Sequence, residues 1–145
     1  MSAVAVTRKV EASADAVWAI IRSGTGVDRW LPMVTSCRLE GTGVDAKRVC
    51  TLNDGTAEHE LQETIETVDD AARLFQYRID RQSMMPIQNY RGTMHVTPVG
   101  ADQCEILWFA NFDLGDASAL PAVKAGLEGV YQAGIAGLEA AAKTT

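Results

Sequence analysis

The chain has 145 residues, a formal net charge of −6 and a sequence pI near 4.8, with 47% hydrophobic and 22% charged residues. These values fit a single domain over residues 1–145 that can bury a core without staples, and they argue against nucleic acid as a partner, which requires a clustered basic surface. No segment nears the ~18 uninterrupted apolar residues of a membrane span and no basic-then-apolar leader is visible, so a cytoplasmic protein with no stable membrane insertion is expected.

Ala3 to Val10 alternates well enough for a first strand. Ser13 is placed to cap a helix with Asp15 in its first turn, and Val17, Trp18, Ile20 and Ile21 give that helix an apolar face. Gly24 and Gly26 end it, and Val27 to Leu31 forms a second short helix or turn stopped by Pro32. Six strand-like segments follow: Val34 to Leu39, Lys47 to Leu52, Ala57 to Val68, Arg73 to Ile79, Asn89 to Thr97 and Cys104 to Asp113. Asn53-Asp54-Gly55 is a strong hairpin signal, Arg81 to Ile87 reads as a loop, and the short connections imply sequential antiparallel pairing. Ser118 is placed to cap the last helix, with Pro121 in its first turn. Leu120, Val123, Leu127, Val130, Tyr131 and Leu138 share one face of it, and the concave face of the sheet is the only partner large enough to bury them. Gly126, Gly129, Gly134 and Gly137 interrupt this helix, either for close packing or to leave room beneath it.

The period of two along each strand selects the inward residues. In the last strand these are Cys104, Ile106, Trp108, Ala110 and Phe112, with Leu107 and Phe109 on the outer face as a possible homodimer surface. The preceding strand contributes Tyr90, Gly92, Met94 and Val96; a tight turn setting Val96 opposite Cys104 would set Gly92 opposite Trp108. Phe75, Tyr77 and Ile79 point inward from the next strand, and His59, Leu61, Glu63 and Ile65 from the long one before it. A carboxylate on an apolar face needs partners or water, and the Tyr77 and Tyr90 hydroxyls are the candidates. His59 and Glu63 lie about 13 Å apart along the strand and form no dyad. Cys37, Cys50 and Cys104 are an odd, widely spaced set and read as buried free thiols.

The ordered set of Val17-Trp18, Trp30-Leu31-Pro32, Arg38-Leu39-Glu40, Asn53-Asp54-Gly55, Glu63, Val68-Asp69-Asp70, Asn89-Tyr90-Arg91-Gly92 and Trp108 resembles the START-like, birch-pollen-allergen-like (SRPBCC) superfamily, in its bacterial polyketide cyclase/dehydrase and lipid transport branch. The resemblance runs from about Ala3 to Ala142 and implies an α+β helix-grip fold: a seven-stranded curved antiparallel sheet wrapped around a long C-terminal helix, with two short helices after the first strand. The plant abscisic acid receptors of this superfamily carry a glutamate and a tyrosine at positions matching Glu63 and Tyr90, which contribute polar contacts to their hormone site. Their gate and latch sequences are replaced here by Asn53-Asp54-Gly55-Thr56-Ala57 and Ser83-Met84-Met85-Pro86-Ile87.

These readings converge on a small hydrophobic ligand, lipid- or polyketide-like, held in a cavity between sheet and last helix. His59, Leu61, Glu63, Phe75, Tyr77, Tyr90, Met94, Trp108, Phe112, Leu127, Val130 and Tyr131 are the expected ligand-binding residues. A cofactor-free cyclase or dehydratase using Glu63 and a tyrosine is the alternative, and an interaction domain with a filled core is the third reading. The sequence holds no nucleophile elbow, phosphate-binding glycine loop, HExxH or paired-cysteine motif, so neither a metal nor a cofactor is expected.

Overall fold

A computed structural model describes residues 1–144. Seven strands, β1 (Ser2–Val10), β2 (Val34–Glu40), β3 (Lys47–Asn53), β4 (Glu58–Asp69), β5 (Leu74–Arg81), β6 (Ile87–Gly100) and β7 (Gln103–Leu114), form one antiparallel sheet in the order β1-β7-β6-β5-β4-β3-β2. Only β1 leaves its sequence neighbours; it closes the sheet beyond β7, with Val6 opposite Trp108. Helix α1 (Ala14–Arg22) and a 3-10 turn (Val27–Arg29) lie between β1 and β2, and α2 (Leu120–Lys143) ends the fold. This is the α+β helix-grip arrangement that the family resemblance implies.

Ser13 caps α1, its hydroxyl accepting from Ala16 N at 3.1 Å. Trp18 Nε1 and Arg22 Nε both donate to Asp70 Oδ1, at 2.9 and 2.7 Å, and so pin α1 to the β4–β5 turn. The start of α2 differs from expectation. Asp116, not Ser118, caps a 3-10 turn over Ala117–Ala119, and Ser118 donates its hydroxyl to Asp116. The longer carboxylate reaches both groups of Ser118, which delays the helix to Leu120.

Along α2, Val123, Leu127, Tyr131, Ile135 and Leu138 are buried. Its four glycines divide into two kinds. A Cβ on Gly137 would stand 1.8 Å from the Trp30 carbonyl oxygen, and one on Gly134 would stand 2.6 Å from the Trp108 ring. These two let the helix descend onto the tryptophans. Gly126 and Gly129 are exposed and a Cβ there would meet nothing within 4 Å, so they do not belong to the apolar face.

The β6–β7 register is shifted by two residues from the expected one. Val96 lies opposite Ile106 and Pro98 opposite Cys104, because β6 runs on through Pro98 to Gly100 before turning. Gly92 therefore faces Ala110, and the large residue it accommodates is Tyr77 on β5, whose ring carbon Cζ would lie 2.3 Å from a Cβ. Leu107 and Phe109 are half-buried on the outer face of β7.

The cysteine reading also needs correction. Cys37 and Cys50 face each other across β2 and β3 and form a disulfide; Cys104 alone is a free, buried thiol. The hairpin brings together residues 13 positions apart, which sequence spacing hides. Among the described residues no helix is long and apolar enough to cross a membrane.

Candidate functional site

Between the concave face of the sheet and α2 lies a cavity of about 100 Å³. Its walls are mostly apolar. Leu61, Phe75, Met94, Trp108, Leu127 and Val130 line it as the sequence suggests, and Trp30, Leu31, Met33, Met84, Met85 and Ile87 join them from the loops and the edge of β6. Two expected residues are not in its lining. His59 sits at the end of the β3–β4 hairpin with Nε2 2.8 Å from Asp54 Oδ2, drawn there by the carboxylate that organises the turn. Phe112 is buried in solid core opposite Ser2 of β1, away from the hollow.

The polar part of the lining is Arg48, Glu63, Gln82, Tyr77, Tyr90 and Tyr131. Glu63 is only 5% exposed and its partner is not a tyrosine. Arg48, directly opposite on β3, donates Nε to Glu63 Oε1 at 2.7 Å and Nη1 to the Gly24 carbonyl at 3.3 Å. The guanidinium also lies over the rings of Phe75 and Tyr77, at 5.6 and 5.3 Å from their centroids. A buried carboxylate is thus neutralised in place, and the Oε1 lone pairs are committed to arginine. Arg48 was missed in the sequence although Arg48, Cys50 and Leu52 alternate with exposed or half-buried neighbours; an arginine in an inward register was the available signal.

The tyrosines form their own chain. Tyr90 Oη lies between Tyr77 Oη, at 2.9 Å, and Tyr131 Oη of α2, while Trp108 Nε1 donates to Tyr77 Oη at 3.1 Å. Trp108 stacks on Tyr131 with centroids 4.3 Å apart. Burial raises the pKa of all three phenols; the Glu63 charge adds to the shift at Tyr77, and the Tyr77 hydroxyl to those at Tyr90 and Tyr131. At neutral pH they are proton donors and acceptors in hydrogen bonds, not anions.

A bulge sets Tyr90 in this chain. Asn89 takes φ +54° and the β6–β7 register slips between Gln88 and Arg91, so Ile87 and Tyr90 both point inward although three positions separate them. Asn89 Nδ2 donates to Asp113 Oδ2 at 2.9 Å and fixes the turned-out residue. One buried donor remains without a partner among the described residues: Trp30 Nε1, in a side chain that lines the cavity and meets Trp108 edge-on at 5.9 Å. Among the described residues no group of three His, Cys, Asp or Glu could hold a metal ion.

With this geometry in view, the sequence matches the family described as polyketide cyclase/dehydrase and lipid transport over residues 1–143. The chain belongs to that family. A protein from Thermobifida fusca is 29% identical, with 96% of this chain and 91% of that one covered and a TM-score of 0.80. XoxI from Bacillus cereus is 24% identical over 97% and 95% of the two chains, at a TM-score of 0.83. Norcoclaurine synthase from Thalictrum flavum, solved with dopamine and hydroxybenzaldehyde, is 21% identical over 95% and 84%, at 0.76. No curated protein matches the chain. The last two likenesses establish the helix-grip fold; the polyketide cyclase/dehydrase and lipid transport family rests on the match along the sequence.

Proposed function

We propose that the protein binds a small, largely apolar molecule, aromatic or polyketide-like and carrying one or two hydroxyl or carbonyl oxygens, in the cavity beneath α2. The observation that carries this reading is the composition of the wall: apolar side chains on most sides, a neutralised Arg48–Glu63 pair, three neutral phenols and an unpartnered Trp30 Nε1. Such a site rewards apolar surface and recognises a few oxygens by hydrogen bonds. An acceptor atom on the ligand would satisfy the indole donor, which otherwise carries the cost of a buried unmade hydrogen bond.

The hollow is smaller than the ~150 Å³ apolar cavity known to admit benzene. A larger guest must displace side chains, and Met33, Met84, Met85 and Met94 supply unbranched, adaptable ones. The family description joins cyclase and dehydratase chemistry to lipid transport, and norcoclaurine synthase was solved with two small aromatic molecules; both fit a ligand of this class.

The experiment is a titration with 1-naphthol followed by tryptophan fluorescence, since Trp30 and Trp108 line the cavity. Saturable quenching is expected, with Trp30→Phe weakening 1-naphthol more than naphthalene. Equal effects on the two compounds would remove the oxygen-recognition part of the reading, and no saturable binding would remove all of it.

A cyclase or dehydratase reading finds support in one feature, the central Tyr90 hydroxyl with a neighbour on either side, which suits proton donation to a carbonyl. Under that reading Tyr90→Phe abolishes turnover of a polyketide-like substrate while leaving its affinity within about threefold; parallel loss of both argues for binding alone.

A further inference from the structure

We infer that the ligand passes through the sheet itself, between β5 and β6, and that it is an amphiphile whose anionic headgroup rests outside against Arg81. This rests on the cavity being a binding site and adds a portal and a charge to it.

The β5–β6 ladder ends at the pair Arg78 and Arg91, yet β5 runs on to Arg81 and β6 begins at Ile87. Over these stretches each strand pairs only with its other neighbour: Ile79 and Arg81 with β4, Ile87 and Gln88 with β7. The sheet is therefore open between them. Outside this opening lies a groove of about 680 Å³. Ile79, Gln82, Ile87 and Tyr90 line both that groove and the inner cavity, so one layer of side chains separates the two. Gln82 is tied to the backbone of Met84 and Met85 and Tyr90 to the tyrosine chain, so Ile79 and Ile87 are the two that can part without breaking a hydrogen bond or a ladder.

The groove differs from the cavity in charge. It holds Arg78, Arg81, Arg91 and Asp80. Glu66 takes up two of the arginines, with Arg91 Nε at 2.5 Å and Arg78 Nη1 at 3.4 Å, and Arg78 also pairs with Asp80 at 2.8 Å. Among the described residues the Arg81 guanidinium has neither an ion pair nor a hydrogen bond. Met1 also lines the groove, its N-terminal ammonium 3.8 Å from Asp113, so four cations stand against Asp80, Glu66 and Asp113, and the one in excess is Arg81. An apolar tail reaching inward past Ile87 would leave its headgroup in this groove, where a carboxylate fits and a bare hydroxyl gains little.

The test uses octanoate and 1-octanol, which share a tail and differ in the headgroup, measured by calorimetry at low and high salt. Octanoate should bind about fivefold more tightly than 1-octanol at low salt, a margin typical of one exposed ion pair, and the margin should shrink as salt rises. Arg81→Gln should erase it, and Arg81→Lys should retain most of it. In stopped-flow experiments Ile87→Trp, or Ile87→Phe should the larger ring prevent folding, should slow association and dissociation together. Binding of 1-octanol with no advantage for octanoate, or an advantage that survives Arg81→Gln, overturns the headgroup assignment and leaves the cavity reading intact. Unchanged rates in the Ile87 variant overturn the portal. Failure of both compounds to bind where 1-naphthol still binds overturns this inference alone, and failure of 1-naphthol as well removes the cavity reading with it.

Discussion

Arg48 and Glu63 form the one ion pair among the described residues in which both side chains are under 10% exposed. Removing one partner strands a charge in an apolar wall. Glu63→Leu should lose about 3–5 kcal/mol of unfolding free energy in urea titrations, whereas the double change Arg48→Met with Glu63→Leu should recover most of it. A single variant as stable as the parent would mean the pair is solvated. The inward position of Glu63 was legible from the strand's alternation, but its partner was not, because alternation gives a face and not a register. The tyrosine chain shows the same limit. The sequence contains three tyrosines and all three are in it. Their raised pKa values mean that absorbance near 295 nm should show no tyrosinate step around pH 10 while the protein stays folded. A group whose folded pKa is raised contributes stability that is complete below its ordinary value of 10.0 and is lost as pH rises past it. The expected curve is thus a single late rise that coincides with alkaline unfolding; a reversible step near pH 10 with native circular dichroism would contradict the buried network.

At the scale of elements, α2 shows why glycine cannot be read from helix propensity alone. Gly126→Ala fills empty solvent and should stabilise the protein by about 1 kcal/mol in thermal or urea unfolding. Gly137→Ala places a methyl against the Trp30 carbonyl and should be destabilising by more than the helix gains. Stabilisation by both would show that α2 does not descend onto Trp30. The sequence marked all four positions alike, since periodicity cannot tell a close approach from an exposed gap when the partner comes from a loop 100 residues away. Strands were legible to within a few residues because apolar and polar residues alternate between clear turn signals such as Asn53-Asp54-Gly55. The Asn89 bulge and the two-residue shift of β6 on β7 were not, because a bulge changes register without changing composition.

At the scale of the molecule, the element order sufficed for the helix-grip fold, because a long amphipathic helix after six sequential strands has only the concave face to cover. The site was legible as a direction and less so as a boundary. Strand alternation pointed His59 and Phe112 inward, but whether an inward residue meets a hollow or solid core depends on how far α2 stands off the sheet at that level. That distance is set by Trp30, Trp108 and Gly134 together. The central claim, that α2 covers a hollow adaptable enough to take a guest, is tested most directly at the methionine methyl groups. Met33, Met84, Met85 and Met94 are four of the five methionines, and all four line the cavity. In protein labelled with 13C at the methionine methyls, addition of 1-naphthol should shift all four of these resonances together, saturating at one equivalent bound. Four unmoved resonances at concentrations that change the spectrum elsewhere would contradict the account and favour a filled core.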